Sequence, residues 1–422
     1  MKKIAVFLSF VMLQATTISD LFKGLENQYR TKIDNTNIKK TTLTKQKIES
    51  NYFPKIDVFG SYTHYNSVTG LKPIDPITAN KLTKNGDALP FGQTIEKVGI
   101  KLSIPIFIKE LSTLAKKAKY LTSSAKLKKR LNFYQNEAIV VAQNASLEYL
   151  TQLLVALNQT KKSLLITRDN ITIAVNSGRM AGIVLDKIDE KLNSLDIAIN
   201  NVNIQKEELI SNIENLTGIR LEKPVKMEKV KEIQKNEIFA LKPLKEVLNA
   251  SNMDYKATKE KRFYPKILFS TMWSENYTPN TINSKSDSEG YGYYQIAINM
   301  PLFDKSLSSD IELKKIEVLK NRLKLQNTKH SLMIEIKKLQ KELKLLTISK
   351  KLSLKNIQNR KKLLEYARLS FEEGRMTEED YLKYEDNLLQ AKANYYKVIA
   401  KCWQIMAKIA VLYGNDLKGV IK

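Results

Sequence analysis

Ser103-Ile-Pro-Ile-Phe-Ile-Lys-Glu-Leu-Ser112 and Asn299-Met-Pro-Leu-Phe-Asp-Lys-Ser-Leu-Ser308 carry proline, phenylalanine, lysine, leucine and serine at the same five places, 196 residues apart. In both, an alternating apolar run reaches the proline and a stretch rich in Leu, Lys, Ala and Glu follows it. The offset of 196 returns twice downstream, where Gly178-Arg179-Met180 recurs as Gly374-Arg375-Met376 and Leu216-Thr217-Gly218 as Leu412-Tyr413-Gly414. Three separated landmarks in one register make the chain an internal duplication, which has to be recognised before any element is assigned. Upstream, Phe53-Pro54-Lys55-Ile56 answers Tyr264-Pro265-Lys266-Ile267 at offset 211, so the first copy holds fifteen extra residues between its proline landmarks (211 − 196).

Ahead of each second proline the side chains alternate with period two. Val98, Ile100, Leu102 and Ile104 alternate with Lys97, Gly99, Lys101 and Ser103; Tyr294, Ile296, Ile298 and Met300 alternate with Tyr293, Gln295, Ala297 and Asn299. That pattern predicts strands with one apolar and one polar face. After each first proline, Ile56, Val58 and Tyr62 in one copy and Ile267, Phe269 and Trp273 in the other form the apolar side, with Phe59 breaking the alternation. Polar connections over 67–94 and 278–290 separate the members of each strand pair. Runs of about ten alternating residues suit strands tilted across a bilayer, with Tyr62, Trp273 and Tyr294 placed for an aromatic girdle. A half-buried strand in a soluble sheet has the same alternation.

From Pro105 to Gly178, and from Pro301 to Gly374, neither proline nor glycine interrupts the chain. A helix of about 70 residues would reach roughly 100 Å and needs a partner along its length. The returning segments supply one. Ile188, Leu192, Leu195, Ile199, Val202, Leu209, Ile213 and Leu216 keep a four-three rhythm broken at Lys206, and Tyr384, Leu388, Ala391, Tyr395, Val398, Cys402, Ile405, Ile409 and Leu412 repeat its register. Gly178 and Gly374 stand where the outgoing helices should stop and mark the hairpin tips. Shorter helices are expected over 18–50 and 238–262.

The start of the chain reads as a secretory signal: Lys2 and Lys3, an apolar core from Ile4 to Leu13, and Ala15 before a mature start near Thr16. About ten apolar residues fall short of the roughly 20 that a spanning helix needs. No later stretch offers 18 consecutive apolar residues, so any membrane crossing has to use strands.

The net charge of +26 raises nucleic-acid binding, but only ten of the seventy basic residues are arginine and the lysines are spread along helical faces. Solvated helices explain them better, and no nucleic-acid partner is expected. The single cysteine, Cys402, excludes an intrachain disulfide framework and a multi-cysteine zinc site. His64 and His330, the two histidines, fall on a strand end and in mid-helix. No phosphate loop, nucleophile elbow or HExxH motif is present. Catalysis, a metal and a cofactor are therefore not expected.

A signal peptide, two strand-strand-helix-helix units, glycine-centred tips and the closing "LTG" and "LYG", with F-P or Y-P before each first strand and P-x-F after each second one, together resemble the TolC-like outer-membrane factor family. The resemblance covers essentially the whole mature chain. It implies a mainly α fold with β: a trimer whose four strands per chain complete a twelve-stranded transmembrane β-barrel, continued by a long periplasmic α-helical barrel. It also implies an outer-membrane channel subunit of a tripartite efflux or type I secretion system in a Gram-negative envelope. Such a subunit is a passive conduit, a homotrimer in outer-membrane lipid, served by a periplasmic adaptor and an inner-membrane pump of RND, ABC or MFS type. On this plan the chain divides into a signal peptide (1–15), a first repeat (16–219), a linker (220–237) with Pro224, a second repeat (238–414) and a C-terminal tail (415–422).

By the same resemblance the tips at Gly178, Arg179, Gly374 and Arg375 face the adaptor, and Asp380 matches an acidic position lining the periplasmic entrance. Arg375, Glu378, Glu379, Asp380 and Lys383 are the expected gate residues. Lys383 stands where a second acidic residue would be expected, and Val184 is apolar at the equivalent place in the first copy, which argues against a doubly acidic entrance. Thr377-Glu378-Glu379-Asp380 also reads as a helix N-cap with acidic residues on the helix dipole. With the apolar strand face in lipid, Lys55, Lys97, Lys101 and Lys266 point into the lumen and favour anions. The alternative is a soluble periplasmic coiled-coil adaptor or scaffold with the strands in a small sheet domain; adaptors usually carry one hairpin flanked by β domains, unlike this symmetric duplication.

Overall fold

The computed structural model describes residues 16–87, 89–279 and 286–422; the expected signal segment lies outside the described residues. Two copies of a helix-strand-strand-helix-helix order follow each other, the first with two short helices in addition. The first is α1 (Ile18–Asn27), α2 (Tyr29–Ser50), β1 (Lys55–Gly70), α3 (Pro76–Lys84), β2 (Phe91–Ile108), α4 (Lys109–Asn176) and α5 (Ile183–Thr217). The second is α6 (Lys242–Phe263), β3 (Lys266–Pro279), β4 (Ser286–Asn299), α7 (Lys305–Glu372) and α8 (Glu378–Tyr413). The two outgoing helices, α4 and α7, are each 68 residues long.

The recurring glycines have a common physical reason. Gly178, Gly218, Gly374 and Gly414 all have φ between 71° and 74°, the left-handed conformation in which glycine carries no Cβ penalty. At the first tip the Gly178 N–H donates to the Val175 carbonyl (2.9 Å) and that of Arg179 to Ala174 (2.8 Å); at the second, Gly374 donates to Phe371 (2.9 Å) and Arg375 to Ser370 (2.8 Å). These bonds satisfy carbonyls that a helix end leaves open. The "LTG" and "LYG" landmarks are the matching stops of α5 and α8.

The chain divides into two compact units. One comprises 38–125 and 244–325. Its sheet has the order β1-β2-β3-β4, antiparallel throughout, with β1 and β4 as open edges. The central pairing joins the two copies, since β2 meets β3 from Glu96↔Tyr277 to Ile108↔Lys266. Pro105 does not end β2 as its position suggested. The strand continues to Ile108 with a register shift between Pro105 and Phe107, where the missing proline N–H interrupts the ladder. The strands also reach further into both connections than expected, to Gly70 and from Phe91, and the first connection holds α3, capped by Asp75. Around the helix ends of this unit, Asp254 on α6 accepts from Lys117 on α4 (2.7 Å) and Lys314 on α7 (2.8 Å).

The other unit comprises the described residues up to 37, with 126–243 and 326–422. Its core gathers Ile18, Leu21, Phe22 and Leu25 of α1, Val140, Val141 and Leu147 of α4, Ile213 of α5 and Ala407 and Ala410 of α8, all nearly inaccessible. Burying each Leu, Ile or Phe contributes about 1.5–3 kcal/mol. The last residues close over this core: Leu417, Val420 and Ile421 are buried, and Glu228 and Lys422 exchange backbone hydrogen bonds of 2.7 and 2.9 Å. Of the expected α8 seam, Leu388, Ala391 and Ile409 are buried, and Cys402 is partly buried.

Candidate functional site

The sheet sorts its side chains by face. Cross-strand partners share a face, so the register places Ile56, Leu102, Thr271 and Tyr294 in one row and Val58, Ile100 and Trp273 in the next. This face continues through Ile104, Phe269 and Ile296 and is open to solvent: Val58 is 75 % exposed, Ile100 50 %, Trp273 57 % and Tyr294 84 %. Monomeric soluble proteins rarely show a contiguous apolar area of this kind; such areas mark surfaces for a protein partner, a ligand or a membrane. Among the described residues no helix is long and apolar enough to cross a membrane.

The opposite face carries Lys55, Asp57, Ser61, Lys97, Lys101, Ser270, Asn276, Glu289 and Gln295. Phe59, the residue that breaks the alternation, lies on this polar face directly across from Gly99. Its ring Cζ is 2.8 Å from where a Gly99 Cβ would stand, so the ring covers the gap that the glycine leaves. Of the four lysines singled out, Lys55, Lys97 and Lys101 have no carboxylate partner among the described residues, while Lys266 is held by Glu110 on α4 at 2.7 Å.

One feature of this face has no signal in the sequence. Ser274, Asn276 and Thr278 are buried where the start of the β1–β2 connection and the first residues of β2 lie over β3. Asn276 Nδ2 donates to the Leu71 carbonyl (2.6 Å), Thr278 Oγ1 to the Thr94 carbonyl (2.6 Å), and Lys72 pairs with Glu289 (2.5 Å). Pairings across about 200 residues leave no mark in local periodicity.

In the other unit, the second hairpin tip draws some of the selected residues together. Thr377 caps α8, its Oγ1 accepting from the Asp380 N–H (3.2 Å) and donating to Asp380 Oδ2 (3.0 Å). Lys383 bridges Asp380 (3.0 Å) and Glu379 (3.1 Å), and its hydrogen bond, with that of Thr377, holds the Asp380 carboxyl below its ordinary range. Lys383, which departs from the expected acidic pattern, is thus the centre of the cluster. Arg375 stays outside it and pairs with Glu373 (3.3 Å). Glu378 begins α8, and its side chain lies outside the described part. The first tip differs: Gly182 precedes α5 with no side-chain cap, and Arg168 and Asp189 join its two helices at 2.5 Å. Gly178 and Arg179 are exposed at the turn itself.

Sequence reasoning also passed over Glu137. It is fully buried in mid-α4 beneath the C-terminal turn, where one oxygen accepts from the Leu417 N–H (3.1 Å) and the other has no protein partner. Burial, and then the nearby Asp416 charge, push its carboxyl up to about 9.

No protein-family model matches the chain, and no curated protein sequence does. Solved structures do match in fold. The CmeC outer membrane channel of Campylobacter jejuni superposes with a TM-score of 0.71 at 16 % identity, covering 96 % of this chain and 85 % of that one. The outer membrane protein VceC of Vibrio cholerae gives 0.70 at 12 %, covering 94 % and 96 %. The open-state MtrE outer membrane channel of Neisseria gonorrhoeae gives 0.69 at 12 %, covering 94 % and 89 %. At these identities the likeness is one of fold: a mainly helical chain with a four-stranded antiparallel sheet and paired long helices.

Proposed function

We propose that this chain is one subunit of an outer-membrane conduit for efflux or type I secretion, a homotrimer whose three sheets close a twelve-stranded barrel and whose helices line a tunnel through the periplasm. The observation that carries this reading is the sheet: one face apolar and exposed, the other polar, and both edge strands open. Four strands cannot close on themselves, since membrane barrels need at least about eight. Adding copies edge to edge removes the open edges and turns the apolar face to lipid. The fold shared with outer membrane channels supports the same reading.

In this reading the subunit performs no chemistry. Energy comes from an inner-membrane pump of RND, ABC or MFS type, reached through a periplasmic adaptor that docks at the tips around Gly178, Arg179, Gly374 and Arg375. Glu379, Asp380 and Lys383, joined in one ion-pair cluster at the head of α8, are the proposed entrance gate, with Glu378 and Arg375 beside it. Lys55, Lys97 and Lys101 supply lumen charge, and Lys266 contributes less because Glu110 neutralises it.

The test is to express the full chain, separate the membranes and size the protein in detergent. Recovery from the outer membrane as a heat-modifiable trimer is expected. Recovery as a water-soluble monomer from the periplasm rejects the conduit in favour of an adaptor or scaffold.

A further inference from the structure

In the unit formed by the described residues up to 37, with 126–243 and 326–422, part of the linker (220–237) straps the groove between α4 and α8. The strap is fixed twice. Buried Asn144 on α4 grips Val225, its Nδ2 donating to the Val225 carbonyl (2.7 Å) and its Oδ1 accepting from the Val225 N–H (2.8 Å). Further on, Glu228 exchanges backbone hydrogen bonds of 2.7 and 2.9 Å with Lys422. Val225 and Met227 pack toward the core, whereas Lys226 and Glu228 are exposed, the alternation of an extended segment. Under the strap lies a cavity of about 360 Å³, walled by Glu148 of α4, Met227 of the linker and Tyr396, Ile399 and Trp403 of α8.

The walls have a definite chemistry. Tyr396, Ile399 and Trp403 stand at i, i+3 and i+7 on one face of α8. The tie between Gln404 and Ser146 (3.0 Å) fixes this stretch against α4 and sets Glu148 between the two rings along the groove. Burial, and then the Glu148 charge, push the Tyr396 phenol up. Gln152 donates to Glu148 Oε1 (3.3 Å), while Oε2 has no partner and no lysine or arginine pairs with this carboxylate among the described residues. Aromatic side chains on a helix face are ordinarily core. Here both are only partly buried and border a cavity beside a carboxylate that no cation of the chain neutralises.

The remaining charges at the cavity are the exposed Lys226 and Glu228, near neighbours on the strap that offset one another, so Glu148 sets the sign of the site. A single carboxylate between aromatic walls offers too few oxygens for a metal ion, and no cluster of ligating side chains occurs among the described residues. Aromatic faces attract ammonium groups, quaternary ones included, through the ring quadrupole. We propose that this cavity binds a small organic cation, a quaternary or protonated amine with an apolar substituent, Glu148 meeting the charge and Tyr396, Trp403 and Met227 holding the body. The strap is tied down by the chain itself, so binding requires little ordering. Every wall comes from one chain, and the site stands independently of the conduit reading.

The test is isothermal titration of the full chain, in a non-ionic detergent, with benzyltrimethylammonium. One saturable site per chain is expected. E148Q keeps the side-chain shape and an acceptor for Gln152, and is expected to weaken binding about tenfold. W403L is expected to weaken it about threefold. K226E removes the opposing charge from the strap and is expected to tighten binding, a gain that a misfolded chain cannot produce. Absence of a saturable site in the wild type overturns the proposal. So does an affinity that neither E148Q nor K226E changes, which places the cation in the micelle or elsewhere on the protein. Equal affinity for phenylmethanesulfonate overturns it as well, since the cavity would then select for apolar bulk alone.

Discussion

Glu137 shows how one residue can couple stability to pH. Its folded carboxyl titrates near 9 against an ordinary 4.5, so between those values the native state holds a proton that the unfolded chain has lost. Stability is full below about pH 4.5, falls as pH rises through that window and levels off above about 9. Glu137→Gln keeps an acceptor for the Leu417 N–H and removes the titration. Denaturant unfolding of that variant should give a flatter dependence on pH between 5 and 9, by more than about 1 kcal/mol across the range. An unchanged slope would mean that the carboxyl is hydrated and ionised in the folded protein. Glu137 was invisible in sequence because it sits on a polar-looking turn of a Lys- and Glu-containing helix, and the tail that buries it lies 280 residues away.

At the scale of elements, periodicity read well and partnership did not. The strand alternation, the two uninterrupted helices and the glycine stops were legible because each depends on neighbours within a few residues. Phe59 looked like an error in the alternation until the register set it over Gly99. The β1–β2 connection read as an open loop, and its anchoring to Asn276 through the Leu71 carbonyl depends on the other copy. The face assignment itself is testable. Ile100→Arg on the exposed apolar face should cost about 2–4 kcal/mol of insertion stability if that face meets the bilayer midplane, seen as loss of protein from the outer-membrane fraction. On a water-facing sheet the same change would be nearly neutral.

At the scale of the whole molecule, the charge excess of +26 acquires a place. Some of it lies along α7, where Lys337, Lys341, Lys344, Lys351, Lys355 and Lys362 are exposed, and some lies on the polar face of the sheet, where Lys97 and Lys101 have no ion-pair partner among the described residues. If that face lines the lumen, planar-bilayer recordings of the wild type should show preference for anions. Lys97→Glu with Lys101→Glu should move the reversal potential toward the cation limit. No shift on double reversal would place those lysines away from the conduction path.

The sequence by itself determined the duplication, the kind and order of the main elements and the positions of the chain reversals, since all of these follow from local period, propensity and the steric freedom of glycine. It also located the residues at the hairpin tips, though not their associations. Only the tertiary structure decided that Lys383 gathers Asp380 and Glu379 while Arg375 turns to Glu373, and that Lys266 is neutralised by Glu110. Those outcomes depend on which helix faces and strand neighbours meet across as many as two hundred residues, and local spacing carries no information about that choice.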